Sequence, residues 1–410
     1  MKSSWKRNLW VVWVAEFLAI MGFSTTNPIF PYYIQYLGVR DDLVARWSGI
    51  AISVSSLTMG FMGPIWGALG DRNGRKVMVM RAMFGGAVII GLMGFVQNVG
   101  QFALLRFIQG ALTGTVTAAT ALVASNTPRD RLGETLGKLQ LAIFLGQAFG
   151  PTAGGFVADT LGYRPAFWIT SAFLIVSGFM ILFLVREDFT PSPDALKGSL
   201  WQRMGTDFST ILAGSLLGYV LVLRFALRVG LRMSSPIVPL LVQDIMPGSS
   251  LLGSASGLLS TITGVTSAIA APVVGRWADR GNGKALLMGS AFIATAAMLA
   301  QGLASTYWLL ILAQALLGLG IGGTLAVISA YIGRMAPEGR AGTAFGLDAM
   351  AVSVAGAIGP IVGGWLGDVV SLRVPFFVGG IAMGLAGFAV LRLPVATHSP
   401  KEAPAQGQAS

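Results

Sequence analysis

The sequence contains no cysteine and one histidine, and only 11% of its residues are charged, whereas 54% are hydrophobic. The absence of cysteine excludes disulfide bonds and thiol catalysis. The histidine, His398, lies in a polar tail, so we predict no histidine-based metal site and no cofactor. The apolar segments also lack the histidine, cysteine and clustered carboxylates of an enzyme active site, so we predict that the chain is not an enzyme.

Long apolar runs are abundant instead, and the mean hydropathy is +0.71. A helix rises about 1.5 Å per residue, so roughly 20 apolar residues cross about 30 Å of hydrocarbon. The sequence therefore predicts an all-α membrane protein with twelve transmembrane helices in two six-helix bundles. The predicted spans are 9–37, 47–69, 77–97, 102–124, 134–157, 165–185, 210–243, 251–275, 285–304, 307–332, 341–366 and 374–393.

The formal net charge of +11 raises the question of a nucleic-acid partner, and the distribution of the 28 Lys and Arg residues excludes one. With both termini in the cytoplasm, most of these residues fall in cytoplasmic loops, as the positive-inside rule requires. Only Arg40, Arg46, Arg164 and Arg373 fall on the opposite side. We therefore predict a multi-pass protein of the bacterial inner membrane whose basic loops contact anionic lipids.

An internal repeat has an offset of 208 or 209 residues. It relates Pro28-Ile29-Phe30-Pro31 to Pro236-Ile237-Val238-Pro239, Gly67 and Asp71 to Gly275 and Asp279, Gly150-Pro151-Thr152-Ala153-Gly154-Gly155 to Gly359-Pro360-Ile361-Val362-Gly363-Gly364, and Asp159 to Asp368. Six helices separate the copies, so the halves share one topology and a pseudo-two-fold axis along the membrane normal, with substrate bound between them. The predicted divisions are bundles 1–185 and 210–393, a cytoplasmic linker 186–209 and a polar cytoplasmic tail 394–410.

Three motifs in order resemble those of the major facilitator superfamily, and the resemblance covers nearly the whole chain. They are Gly67-Ala68-Leu69-Gly70-Asp71-Arg72-Asn73-Gly74-Arg75-Lys76, Leu105-Arg106-Phe107-Ile108-Gln109-Gly110 and the glycine-rich segment 150–155. Within that superfamily, Glu16-Phe17 followed by Gly22 and Pro28 resembles the first helix of bacterial drug:proton antiporters. The resemblance implies export of small amphiphilic molecules in exchange for protons by alternating access, and a protein that works as a monomer.

The loop after the second span has a physical explanation of its own. Gly74 supplies a left-handed turn, and Arg72, Arg75 and Lys76 hold the loop at the cytoplasmic surface. The resemblance implies that Asp71 pairs with those cations or with a helix N-terminus across the two halves, as a gating latch, and that Gly67 belongs to the same gate. The alternative is that Asp71 is a solvated loop acid.

Small residues recur every fourth position in the fifth and eleventh spans. A bare stripe of this kind lets a neighbouring helix approach closely. Pro151 adds a kink, and the exporter role of the motif is implied by resemblance alone. The helix-packing residues are Gly146, Gly150, Pro151, Gly154 and Gly155, with Gly359, Pro360 and Gly363 in the second half.

Glu16 lies about nine residues past Arg7, roughly 13 Å along the first helix, and therefore well inside the hydrocarbon. A carboxylate balanced between the cost of burial and the attraction of a nearby cation loads and releases a proton, as coupling requires. Glu16 is thus the predicted proton carrier, with Arg106 of the helix-four motif assisting. A permanent ion pair that ties two helices together is the alternative.

Helix seven carries Arg224, Arg228 and Arg232 on one face, at i, i+4 and i+8. The repeat places Arg224 opposite Glu16, so we predict that they pair and that the stripe lines the cavity. With Arg106 and Asp348 included, the six charges sum to +2, which disfavours cations and favours neutral, zwitterionic or anionic amphiphiles. The alternative for any one arginine is binding to carbonyl groups between helices.

The remaining predicted site residues are Asp348, Phe23, Ser24 and Tyr32. Asp348 is predicted to pair with the Asp71 gate rather than to contact substrate. Phe23 and Tyr32 are predicted to form an aromatic cavity wall, although ordinary packing is the alternative. Ser24 occupies a cavity position where some drug exporters carry a second acid. A lipid or anionic-metabolite carrier that needs no proton is the other function that this sequence permits.

Overall fold

The computed structural model describes residues 4–128, 131–187, 216–335 and 341–392, which form helices joined by short turns. The helices, numbered by membrane span with broken spans divided into a and b, are α1a Ser4–Thr26, α1b Phe30–Tyr36, α2 Val44–Asn73, α3 Arg75–Met93, α4a Val99–Leu112, α4b Thr115–Asn126, α5 Leu132–Leu161, α6 Tyr163–Leu184, α7a Leu216–Met233, α7b Val238–Ile245, α8 Leu252–Trp277, α9 Gly283–Leu303, α10 Tyr307–Met335, α11 Ala341–Val369 and α12 Val374–Ala389.

Eleven helical segments are long and apolar enough to cross a membrane in the part of the chain that the structure describes. The predicted seventh span appears as α7a and α7b, and the 18-residue α7a carries the three arginines. Its first residues, 210–215, lie outside the described residues, as do most of the predicted linker and the whole predicted tail. The all-α architecture of about twelve spans is therefore confirmed.

Three spans are broken where the sequence predicts continuous helices. A short 3-10 turn, Asn27–Ile29, separates α1a from α1b just before Pro31, and residues 234–237 interrupt span seven at the equivalent place. Span four breaks at Thr113 and Gly114 because Gly114 adopts a φ of +117°, which only glycine tolerates readily.

Side chains satisfy the carbonyl groups that the break in span four releases. The Trp66 indole donates to the carbonyl of Ala111 at 2.6 Å, and the Arg81 guanidinium donates to that of Leu112 at 2.9 Å. Arg81 also stacks on the Trp66 ring, 3.7 Å from its centroid. Because unpaired backbone groups are costly inside a membrane, these contacts stabilise the break.

The two halves meet along two helix pairs, α2 with α11 and α5 with α8. We call the end of the bundle that carries Ser4, the α2–α3 turn and Arg392 the near end. The opposite end, which carries the α1b–α2 and α5–α6 turns, is the far end. Asn8 contacts Arg186, and Tyr219 contacts Ala389, so the described starts and ends of both halves share the near end.

The helix pairs approach each other most closely between the far end and mid-depth. A Cβ at Gly49 would collide with the Pro360 carbonyl, and one at Gly257 with the Pro151 carbonyl. Towards the near end, a Cβ at Gly67 of α2 or Gly133 of α5 would meet nothing within 4 Å. The structure is therefore closed at the far end, and its halves separate towards the near end.

Candidate functional site: a sealed far end and charges at mid-depth

Tyr32 ties the two halves together beneath the far end. Its hydroxyl donates to the Pro239 carbonyl at 2.6 Å and lies 2.8 Å from the Ser256 hydroxyl, and the side chain is fully buried. Pro31 and Pro239 open the two short helices α1b and α7b, and this start places Tyr32 against the other half. Tyr32 thus belongs to a seal between the halves, which corrects the prediction of a cavity wall.

Two aspartates form equivalent contacts on opposite sides of the seal. Asp159, at the end of α5, accepts hydrogen bonds from the backbone N–H groups of Gly253 and Ser254 at 2.9 and 2.7 Å. Asp368, at the end of α11, accepts from those of Ala45 and Arg46 at 3.2 and 2.9 Å. A carboxylate at a helix N-terminus is favoured by the free N–H groups and the helix dipole. Each aspartate therefore caps a helix of the other half.

Asp159 and Asp368 are equivalent positions of the sequence repeat, but the sequence alone assigns them no role. Only the repeat could have singled them out, since a single Asp at a helix C-terminus is an unremarkable loop residue. Their position opposite the N-terminus of a helix from the other half depends on tertiary packing. This pair is the clearest functional feature that sequence reasoning missed.

The glycine-rich segments behave as predicted in both halves. Added Cβ atoms at Gly146, Gly150 and Gly154 would collide with the backbone of α1a, and those at Gly359 and Gly363 with α7a. An added Cβ at Gly155 would likewise collide with the Gly253 carbonyl of the opposite half. Each segment thus packs one face on its own bundle and the other on the partner bundle, with Pro151 and Pro360 supplying the carbonyls at the seam.

Glu16 is fully buried, and neither carboxylate oxygen has a hydrogen-bond partner among the described residues. The Thr115 hydroxyl lies beside it, at the first residue of α4b. α1a packs against α5, α6 and α4b, which bring no cation into an ion pair with Glu16 in the described structure. The break in span four therefore presents the N-terminus of a half-helix to an unpaired acid.

Arg224 pairs with Asp348 and not with Glu16. The Arg224 Nε lies 3.0 Å from Asp348 Oδ1, its Nη2 donates to Oδ2 at 3.1 Å, and both side chains are buried. The predicted Glu16–Arg224 pair is therefore not formed in the described structure, where Asp348 pairs with Arg224 rather than with the Asp71 loop. The repeat places Arg224 at the depth of Glu16, but their side chains point into their own bundles.

Arg228 and Arg232 continue the stripe towards the far end without a carboxylate partner among the described residues. Arg228 is half-buried and lines a pocket with Leu325 and Ile328 of α10 and Met383 of α12. Arg232 is exposed, and it packs beside Gly359. All the residues that line the Arg228 pocket belong to the second half.

Arg106 takes the alternative that the sequence left open, binding a carbonyl between helices. Its Nε donates to the Ala51 carbonyl at 3.1 Å, its Nη1 contacts Gln109, and the guanidinium lies 4.6 Å from the Phe30 ring centroid. It joins α4a to α2 within the first half and has no contact with Glu16. The structure therefore does not bring together the two predicted proton-coupling residues.

The Asp71 loop is closed on itself. Asp71 is exposed, and its Oδ1 lies 3.4 Å from Arg75 Nη2. The Arg75 guanidinium also donates to the Ala121 carbonyl. The Lys76 ammonium donates to the carbonyls of Leu182 and Val185. Gly74 adopts a φ of +99°, as predicted. Arg72 is exposed as well. No contact reaches the other half in this arrangement, so a latch across the halves is not formed in the described structure.

Two further predicted cavity residues lie elsewhere. The Phe23 ring packs against Gly86 of α3, in the core of the first bundle. Ser24 is buried against Gly150, in the packing between α1a and α5. Both residues therefore contact helices of their own bundle, and Phe23 remains partly exposed.

Comparison with known proteins identifies relatives along the whole chain. The family model described as Major Facilitator Superfamily matches residues 12–226 and 220–410. Multidrug resistance protein MdtG of Proteus mirabilis (strain HI4320) is 32% identical over 378 residues, 92% of each chain. MdtG of Klebsiella pneumoniae (strain 342) is 32% identical over 392 residues, 95% of this chain and 94% of the relative.

Solved structures share the fold at lower identity. A nucleoside transporter, NupG, has a TM-score of 0.76 at 15% identity and covers 94% of this chain and 98% of its own. The human organic anion transporter MFSD10 has a TM-score of 0.68 at 19% identity, with coverage of 94% and 99%.

Proposed function

Since this chain belongs to the major facilitator superfamily and is therefore a transporter of small molecules rather than an enzyme, we propose that it is a proton-coupled exporter of small amphiphilic molecules. The names of its MdtG relatives support export of the multidrug type. The protein acts as a monomer in the bacterial inner membrane, with the near end and both termini in the cytoplasm. The described conformation then faces the cytoplasm and is ready to load substrate.

Alternating access follows from the two helix pairs between the halves. The far-end contacts of Tyr32, Asp159 and Asp368 are individually small polar contacts between rigid bundles, so they can be exchanged for others. When they open, the near ends of α2 and α11 approach, and Asp71 and Gly67 come to the seam. The Asp71 latch belongs to that second conformation.

Glu16 carries the coupling proton. The main support for this proposal is the environment of the Glu16 carboxyl group. A charged carboxylate without a cation partner is expensive inside a bilayer, whereas the neutral acid is readily tolerated. The Thr115 hydroxyl lies beside Glu16 at the start of α4b, where the free N–H groups of a helix N-terminus favour negative charge. Movement of α1a against α4b would therefore change the proton affinity of Glu16.

The test is proton flux in liposomes that contain pyranine and an imposed pH gradient. The probes are dansylcadaverine, dansylamide and dansylglycine, a cation, a neutral molecule and an anion that share one fluorescent body. We expect at least one probe to cross while protons move in the opposite direction, and we expect Glu16→Gln to abolish this coupled flux. The matched control, Glu134→Gln, removes an exposed carboxylate that pairs with Lys138, and its flux should equal that of the wild type.

Probe movement without proton movement in the wild type contradicts the proposal and favours the proton-independent carrier. Coupled flux that survives in Glu16→Gln removes Glu16 from the proton path. Purified variants must be reconstituted at equal protein-to-lipid ratios, so that a lost signal reports a lost step.

A further inference from the structure

The arginine stripe divides into one neutralised arginine and two unpaired ones. Arg224 and Asp348 form a two-point ion pair, so their charges cancel. Arg228 and Arg232 donate no hydrogen bond to any described residue and have no ion-pair partner there. The stripe therefore carries two positive charges that no described residue compensates.

The described residues of the neighbouring helices bring no second carboxylate to these two arginines. α7a packs against α10, α11 and α12, and the only acid of those helices that acts on Arg228 is Asp348, which Arg224 already holds. Glu16, the acid at the same depth in the first half, faces α4b instead. Unpaired guanidinium groups at mid-depth are costly, so they mark a place where a ligand provides the opposite charge.

The surroundings of the two guanidinium groups are apolar on one side and open on the other. Arg228 shares its pocket with aliphatic side chains, including Leu227, Leu231, Leu325 and Ile328, and with one hydroxyl, that of Thr324. Arg232 is one turn further on, about 6 Å along the helix, and is exposed. This arrangement suits a molecule with a charged head and an apolar body.

We propose that Arg228 and Arg232 bind an anionic oxygen group of the transported molecule, a carboxylate, sulfonate or phosphate, while its apolar body lies against α10 and α12. The planar guanidinium group binds such oxygens through paired hydrogen bonds, and two groups one turn apart reach the same anion. Cations are excluded by the uncompensated charge. This assignment of substrate class rests on the proposed transport function.

Binding is measured first, without transport, by dansyl fluorescence of the detergent-solubilised full-length protein. We expect the wild type to bind dansylglycine at least tenfold more tightly than dansylcadaverine. The double variant Arg228→Gln/Arg232→Gln should weaken dansylglycine binding by about tenfold or more and leave dansylamide binding within about twofold. Arg228→Lys/Arg232→Lys, which keeps both charges, should retain most of the affinity.

Arg40→Gln is the matched control, because it removes one positive charge from an exposed loop in which Arg40 pairs with Asp42. Its dansylglycine affinity should equal that of the wild type. If the double glutamine variant does not fold, the single variants and the lysine pair carry the comparison. The proposal is overturned by unchanged dansylglycine affinity in the glutamine variants, by tighter binding of dansylcadaverine, or by no saturable binding of dansylglycine to the wild type.

The transport assay then separates the two proposals. Dansylglycine binding that depends on the arginines, together with an absence of proton flux for every probe, would leave the anion site standing and remove the antiport function. Coupled flux with a preference for dansylcadaverine would leave the antiport function standing and remove the anion site. Export of one anion in exchange for entry of one proton moves two charges in the direction that an inside-negative potential favours, so this potential should speed dansylglycine export more than dansylamide export.

Discussion

The Tyr32 hydroxyl donates a hydrogen bond of 2.6 Å to the carbonyl oxygen of Pro239, across the boundary between the two halves. The contact is buried and is shared with Ser256, so its loss leaves a carbonyl and a hydroxyl without their partner. Tyr32 belongs to the first half and both partners to the second. The strength of this contact therefore contributes directly to the balance between the far-end-closed and far-end-open conformations.

Tyr32→Phe should increase the population that is open at the far end. The absence of native cysteine allows spin labels to be attached only at introduced cysteines, for which the exposed residues Gln97 and Ser250 at the far end of each half are suitable. Electron–electron distance measurements should show a larger long-distance fraction in Tyr32→Phe. Tyr33→Phe is the control, because the Tyr33 hydroxyl donates to Met93 within one half at 2.6 Å. Equal distributions in the two variants would remove Tyr32 from the seal.

Asp159→Asn and Asp368→Asn should each weaken the closed far end by similar amounts. Asn keeps the capping oxygen but removes the negative charge that the helix N-terminus favours, which costs about 0.3–1 kcal/mol and changes a two-state population about 2- to 5-fold. The aspartates lie at separate seams, so the double variant should show nearly the sum of the two effects. The same spin-label pair reports the populations. Asp42→Asn, which alters only the exposed contact with Arg40, should leave them unchanged. An effect of only one of the aspartates would contradict the equivalence of the two seams.

Much of the fold could be predicted because each span is long, apolar and repeated at a fixed offset. The site could be predicted only in part. Helical spacing placed Arg224, Arg228 and Arg232 on one face, but it does not say which helix lies opposite, and Asp348 of α11 took the place assigned to Glu16. Phe23 was misplaced for the same reason. The break at Gly114 left only a Thr-Gly-Thr signal in the sequence, because its stabilising partners, Trp66 and Arg81, come from other helices.

Gly155→Ala and Gly364→Ala should also favour opening of the far end, by a steric route. A Cβ at Gly155 would collide with the Gly253 carbonyl, and one at Gly364 with the Ala45 carbonyl, so closure requires a backbone shift that costs about 1–3 kcal/mol. Folding of each bundle is unaffected because these contacts lie between the bundles. Gly133→Ala, at a position of α5 where an added Cβ meets nothing within 4 Å, is the control. Unfolding at a lower temperature without a change in the label distances would show that the glycines serve folding and not closure.

A stability cycle on Arg224 and Asp348 distinguishes their pair from the one that the sequence predicted. Arg224→Gln leaves Asp348 buried without a counter-charge, and removal of one member of a buried pair costs about 3–5 kcal/mol. Asp348→Asn leaves Arg224 without its counter-charge. This variant should cost less stability, because Asn still accepts a hydrogen bond from Arg224. The double variant Arg224→Leu/Asp348→Leu should recover most of the loss, since no unpaired charge remains.

Glu16→Gln provides the contrasting cycle, measured by thermal unfolding in the same detergent. Because no charged side chain pairs with Glu16 in the described structure, Glu16→Gln should unfold at the temperature of the wild type or above it. Its effect should add to that of Arg224→Gln within about 0.5 kcal/mol, whereas Arg224→Gln and Asp348→Asn should be strongly non-additive. Coupling between Glu16 and Arg224 would instead mean that the two residues meet in another conformation. Protonation of Glu16 would then remove a negative charge beside the arginine stripe and act on it directly rather than through movement of α1a against α4b.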